Sequence, residues 1–164
     1  MIKDEIERRF LCLCTNVLDL ALAAEYGKML EQLYLSFEND TVMRIRSEDD
    51  KKFILCEKKG RGIRRTEDET EIDSTTGRIM IVDARKSEKP RIKKLRWILD
   101  RWEVDWFLSP APPNDYWRIA EIELKSENEP FECKIPGLKF IREITNDDRY
   151  TNYQLATNGW PKEE

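Results

Sequence analysis

Eight short runs, residues 4–14, 29–37, 41–47, 52–58, 65–73, 91–98, 101–108 and 117–125, alternate charged with apolar side chains. Alternation is the period of an extended strand, whose successive side chains point to opposite faces. In "EIERRFL", residues 5–11, Glu5, Glu7 and Arg9 therefore share one face while Ile6, Arg8 and Phe10 share the other. The same pattern returns as Arg44/Arg46, Glu67/Glu69/Glu71, Lys94/Arg96, Glu103/Asp105 and Glu121/Glu123. Like charges two positions apart on a strand lie roughly 7 Å from each other and repel, so such pairs do nothing for folding. A face that only needed to be wet would be served as well by mixed signs.

A closed antiparallel sheet gives these faces a use. Strands that curl into a barrel send alternate residues into a lumen, and about eight strands leave room there for a small ligand. Charged residues inside leave apolar residues outside, and these need cover. Residues 16–26, 75–86 and 146–158 have helical character and are expected to pack on Ile6, Phe10, Val104, Trp106, Ile122 and Leu124, although "IMIV" (79–82) also suits a strand. The expected fold is thus α+β, an eight-stranded antiparallel closed barrel with a charged interior and helices packed outside, in one domain spanning 1–164. The competing fold is the inverse, apolar inside and charged outside. Thr75 is the expected cap of the second helix, and Gly159 is expected to close the third. "GRG" (60–62) reads as a turn, and "SPAPPND" (109–115) must end the strand before it, since proline cannot donate to a sheet. The five tryptophans read as outer packing, and Arg149 and Tyr150 as fasteners of the last helix.

Composition removes several chemistries. The chain has no histidine, which excludes Ser-His-Asp and Cys-His nucleophiles and every zinc motif that contains histidine. Its four cysteines lack CxxC spacing and read as reduced, packed thiols. A net charge of −4 gives no broad basic footprint for nucleic acid. Neither a leader nor an apolar stretch near the roughly 20 residues of a membrane helix is visible, so a cytoplasmic protein without a membrane partner is expected. What remains is oxygen and nitrogen chemistry. Carboxylate pairs on several strands can converge on a hard divalent cation, and Arg and Lys pairs can grip phosphate oxygens. Together they describe a metal–polyphosphate site.

These residues resemble the CYTH domains, or triphosphate tunnel metalloenzymes. The opening Glu5-Ile6-Glu7-Arg8-Arg9 matches that family's ExExK hallmark with arginine in place of lysine. "LYLSF", "MRIR", "FILCEKKG", "RTEDETEI", "IKKLRW", "WEVDWF", "AEIEL" and "EITNDDRYTNYQLA" follow in the family's order, so the resemblance covers nearly the whole chain. It implies a triphosphatase that uses Mg2+ or Mn2+ to release the terminal phosphate of inorganic triphosphate, or of a nucleoside or thiamine triphosphate. The alternatives it leaves are a class IV-type adenylyl cyclase, which the missing His-Phe pair disfavours, and a nucleotide- or polyphosphate-binding module without catalysis.

Carried over residue by residue, the resemblance implies Glu5, Glu7, Glu67, Glu69, Glu103, Asp105, Glu121 and Glu123 as the acidic, metal-associated positions. It implies Arg9, Arg44, Arg46, Lys58, Lys94 and Arg96 as phosphate-gripping positions, with Tyr34 near the tunnel. Glu69 or Asp105 would activate water, and Arg9 would act beside them. Because arginine stays protonated and cannot replace lysine as a point charge, binding is expected to survive at Arg9 better than turnover. The implied partner is a small triphosphate, with nucleic acid restricted to a 5′-triphosphate end, and the protein is expected to be a monomer or homodimer.

Overall fold

The computed structural model describes residues 1–162, so the last two residues of the expected domain lie outside it. Eight strands close into an antiparallel barrel: β1 (Ile2–Cys14), β2 (Tyr26–Glu38), β3 (Thr41–Glu48), β4 (Lys52–Lys59), β5 (Arg64–Ile72), β6 (Arg91–Leu99), β7 (Trp102–Ser109) and β8 (Trp117–Leu124). A ninth strand, β9 (Leu138–Glu143), joins the same sheet in the order β5-β4-β3-β2-β6-β7-β8-β1-β9, and a β5–β1 pairing closes the ring. Strand β1 makes both closures possible through its length. It pairs along one edge with β8, from Ile6 opposite Leu124 to Leu13 opposite Trp117. Its first residues pair along the other edge with β5, and its last residues with β9.

The hairpins follow from local chemistry. Asn39 and Asp40 between β2 and β3 both have positive φ, as do Asp49 and Asp50 after β3. Asn and Asp tolerate that conformation, and paired left-handed residues match the twist of adjoining strands. Strand β9 has exposed alternate residues and a weak apolar signature, which is why it is not evident among the charged runs.

Inward and outward faces divide as the alternation predicts. The outer face of β1, β7 and β8 buries Ile6, Phe10, Trp102, Val104, Ile122 and Leu124. Helix α1 (Val17–Ala23) covers them with Leu20, and the chain from Phe131 through Ile135 to Phe140 covers the rest. Phe10 meets Trp102, Phe131 and Phe140 edge-to-face at 5.5–5.9 Å, each such pair adding about 1 kcal/mol to the burial itself. Among the described residues Trp106 belongs to none of the helix-covered clusters, and the Arg118 guanidinium lies 4.5 Å from its ring centre. Helix α2 (Ser74–Lys86) is capped by Asp73, whose carboxylate accepts from the Thr76 amide, rather than by Thr75. It sets Ile81 and Ala84 on Leu33, Ile45 and Phe53. This contact needs Gly77, because a Cβ there would stand 2.3 Å from the Phe53 ring. Gly77→Ala is therefore expected to cost about 2 kcal/mol through overpacking, read as a fall in melting temperature; an unchanged melt would mean that α2 does not seat on Phe53.

The expected third helix is two pieces, a 3-10 turn (Asp148–Tyr150) and α3 (Asn152–Asn158), separated by Thr151, which caps α3. Gly159, at φ 74°, ends it as expected. This segment closes one end of the barrel. Tyr150 and Leu155 pack with Leu11, Ile92, Phe107 and Ile119, which are inward-facing residues at the apolar end of the lumen. Trp117 and Trp160 belong to this plug rather than to the outer layer. Cys12, Cys14 and Cys56 are buried and Cys133 is exposed, all as free thiols. Among the described residues no helix is long and apolar enough to cross a membrane.

Candidate functional site

The charged part of the lumen is a cavity of about 270 Å³. Its walls carry Glu5, Glu7 and Arg9 from β1, Tyr34 from β2, Arg44 and Arg46 from β3, Lys58 from β4, Glu67 and Glu69 from β5, Arg96 from β6, Glu103 from β7, and Glu121 and Glu123 from β8. Each reaches it for one reason: it occupies an inward position of a closed sheet. Lys94 and Asp105 share that inward face but are fully buried behind Arg96 and do not line the cavity. Glu123, with 56% of its side chain exposed, stands at the open rim near Lys3, at 3.6 Å.

The β1 and β8 walls bring carboxylates together. Glu5 is held by Lys58 at 2.7 Å and Glu7 by Arg65 at 3.1 Å. Glu121 accepts from Arg9 Nε at 3.0 Å and from Arg96 Nη2 at 3.1 Å. Their environments drive the carboxyls apart. Burial, reinforced by Glu121 and Glu5, pushes the Glu7 carboxyl up to about 7. Burial also works against the Glu121 anion, but Arg9, Arg96 and Lys94 outweigh it and hold that group far below the usual carboxylate range. At Glu7 burial and the neighbouring carboxylates outweigh Arg65 at 3.1 Å and Arg9 at 3.9 Å. Oxygen donors crowded in this way suit a hard cation such as Mg2+ or Mn2+, so the residues present fit a divalent ion. Cys56 Sγ and carboxylate oxygens of Glu67 and Glu69 form a second group, all within 4.8 Å of one another, that could hold a metal ion.

The opposite wall supplies donors. Arg44 donates to Gln32 Oε1 at 3.3 Å, and Tyr34 OH donates to the same oxygen. Arg46 spans Glu69 at 2.9 Å and Glu48 at 3.1 Å. Even so, Arg9 Nη2, Arg44 Nε and Arg46 Nε are buried without a hydrogen-bond partner among the described residues. A buried, unpaired guanidinium nitrogen costs on the order of 1–3 kcal/mol, and three of them around one cavity favour an anion with many oxygens. Arg9, the arginine at the motif's lysine position, also donates from Nη1 to the Tyr150 carbonyl at 2.9 Å, which ties the plug to the site. This fastening uses the Tyr150 backbone and a fully buried ring, whereas Arg149 is exposed and paired with Asp147.

Among the residues absent from the sequence-derived set are Arg65 and Gln32 on the cavity wall and Cys56 in the second group. Arg65 shares the inward face of Glu67 and Glu69, so the alternation that found them extends to it. Gln32 and Cys56 carry no charge, and nothing in a charge pattern marks them.

No family model matches the chain. Over 158 residues, 94% of this chain and 94% of the other, it is 36% identical to a protein of Acetivibrio thermocellus named inorganic triphosphatase. Among solved structures, a conserved hypothetical protein from Pyrococcus furiosus aligns over 76% of this chain and 80% of its own with a TM-score of 0.52 and 22% identity. A Bacillus halodurans protein whose name suggests an adenylate cyclase aligns over 77% and 83% with a TM-score of 0.53 and 14% identity. These structural likenesses speak for the fold, and the 36% identity across nearly the full length of both chains speaks for kinship. The chain belongs to the triphosphate tunnel, or CYTH, family, in its inorganic triphosphatase branch.

Proposed function

We propose that this protein hydrolyses the terminal phosphate of inorganic triphosphate, or of a related nucleoside or thiamine triphosphate, with Mg2+ or Mn2+. The observation that carries this reading is the pairing of a carboxylate-crowded wall with a wall of arginines whose buried nitrogens lack partners. Glu5, Glu7 and Glu121 would hold the cation, with Glu123 at the rim. When bound, it would neutralise phosphate charge and polarise the bond to be broken. Arg9, Arg44 and Arg46 would take the phosphate oxygens on their free nitrogens, and Lys58 would add charge beside Glu5. Glu69 lies on the cavity wall with 34% of its side chain exposed, and Arg46 helps keep it ionised. It can therefore reach a water and accept its proton, whereas Asp105 is sealed from solvent.

The unpaired guanidinium nitrogens of Arg9, Arg44 and Arg46 are of the phosphate-binding kind. Inorganic triphosphate is therefore expected to be hydrolysed faster than ATP, GTP or thiamine triphosphate. The test is phosphate release from the four in parallel, with Mg2+ or Mn2+. A tenfold preference for ATP would overturn the substrate choice, and saturable binding without phosphate release would make the protein a binding module.

A further inference from the structure

Lys94, Asp105 and Arg96 form a unit that the substrate site does not explain. Asp105 is wholly buried, and both of its oxygens are occupied: Oδ1 accepts from Arg96 Nε at 2.7 Å, while Oδ2 accepts from Arg96 Nη2 at 2.7 Å and Lys94 Nζ at 2.6 Å. A fork of two parallel bonds fixes the plane of a guanidinium as well as its position. Held so, Arg96 turns its outer edge to the cavity, where Nη2 also reaches Glu121 and Nη1 pairs with Glu103. Each nitrogen of Arg96 thus has a carboxylate partner. Lys94 meets Phe107 and Asn152 besides Asp105, and it places a second positive charge beside that buried carboxylate.

We propose that Asp105 is a positioning residue that acts through Arg96: its fork aims the guanidinium so that Glu121 and Glu103 are held at the cavity in one fixed arrangement, with Lys94 as the buried counter-charge. The proposal rests on the reading of the cavity as a metal–triphosphate site. It moves Asp105 and Lys94 from the ligand-touching groups to the support behind them.

A double-mutant cycle tests it, read as the KM for tripolyphosphate, with kcat alongside, in Mn2+-dependent phosphate release. Asp105→Asn, which keeps the shape but loses the charged fork, is expected to raise KM about tenfold, within the range of coupled neighbours. In an Arg96→Gln background the same change is expected to raise it less than about twofold, because the group it aims is gone. Losses that multiply across the two backgrounds would mean that Asp105 acts directly or only by packing, and would overturn the positioning role. Because Asp105→Asn leaves Lys94 without its anion, the cycle is repeated in Lys94→Met protein, which strands no ion; the same coupling is expected there, and its absence overturns the proposal. A native protein that releases no phosphate from tripolyphosphate with Mn2+ overturns the site reading itself, a result distinct from native turnover with uncoupled losses.

Discussion

Glu121→Gln is expected to lower metal-dependent triphosphate hydrolysis by at least about 100-fold and to reduce the melting temperature of the metal-free protein by roughly 10 °C. The first effect follows from removing a charged oxygen donor at the centre of the acidic wall. The second follows from what Glu121 does without a metal. It is 5% exposed and lies between Arg9 and Arg96, at 3.0 and 3.1 Å. Gln would leave two buried guanidinium groups facing a neutral amide, and breaking a buried charge pair from one side costs on the order of 3 kcal/mol. From the sequence alone, Glu121 and Glu123 carry a shared expectation: they lie on one strand face, so neutralising either should relieve repulsion and leave stability unchanged or raised. The barrel separates them, since Glu123 is at the rim beside Lys3 and Glu121 is clamped between arginines. Phosphate release and thermal melts of Glu121→Gln decide the matter. Native activity at ordinary metal concentrations would remove Glu121 from the metal site, and an unchanged melt would remove the clamp.

Relief of repulsion is expected instead at Glu7. Its carboxyl titrates near 7 in the folded protein, raised by burial first and then by Glu121 and Glu5, against an ordinary value near 4.5. Folding therefore takes up a proton between those two values. The sign is that of a raised acid: Glu7 lowers the stability of the metal-free protein as pH climbs from about 4.5 to 7, and the loss persists above that window. Glu7→Gln abolishes that slope. The variant is expected to melt close to the native protein at low pH and on the order of 10 °C higher at pH 8, a difference of about 3 kcal/mol. Metal-dependent activity should nevertheless fall, because the amide is a poorer donor to a hard cation. Mn2+ should raise the melting temperature of the native protein more than that of the variant, as binding to the folded state stabilises by mass action. Melts across pH, with and without Mn2+, measure both. A variant that melts lower than native at pH 8 would show that the Arg65 ion pair outweighs the repulsion.

What could be read in the chain was periodicity. Alternation gave the strands and decided which residues share a face, because a strand has only two faces and the side chains must take turns. It therefore grouped Glu5, Glu7, Arg9, Arg44, Arg46, Glu67, Glu69, Glu103 and Glu121 on shared strand faces, and closure of the sheet sets those faces on the cavity wall. Parity carries no depth, however. Lys94 and Asp105 have the same parity as Arg96 and Glu103, yet they lie a layer deeper, where α3 and the apolar end of the lumen seal them from the cavity. The packing of α3 against Leu11, Ile92, Phe107 and Ile119 likewise depends on contacts between residues far apart in the chain, Leu11 more than a hundred positions away, which no local pattern encodes. Pairing was also invisible to the sequence. Glu7 and Glu121 are both glutamates on alternating strands, and only closure of the barrel clamps Glu121 between Arg9 and Arg96 while it sets Glu7 where burial, Glu121 and Glu5 outweigh its arginine neighbours. The sequence determined which charges enter the barrel, through the two-residue period of the strand. The tertiary structure decided how deep each one lies and which neighbour it meets, because depth and partnership arise from how strands register, close and are plugged.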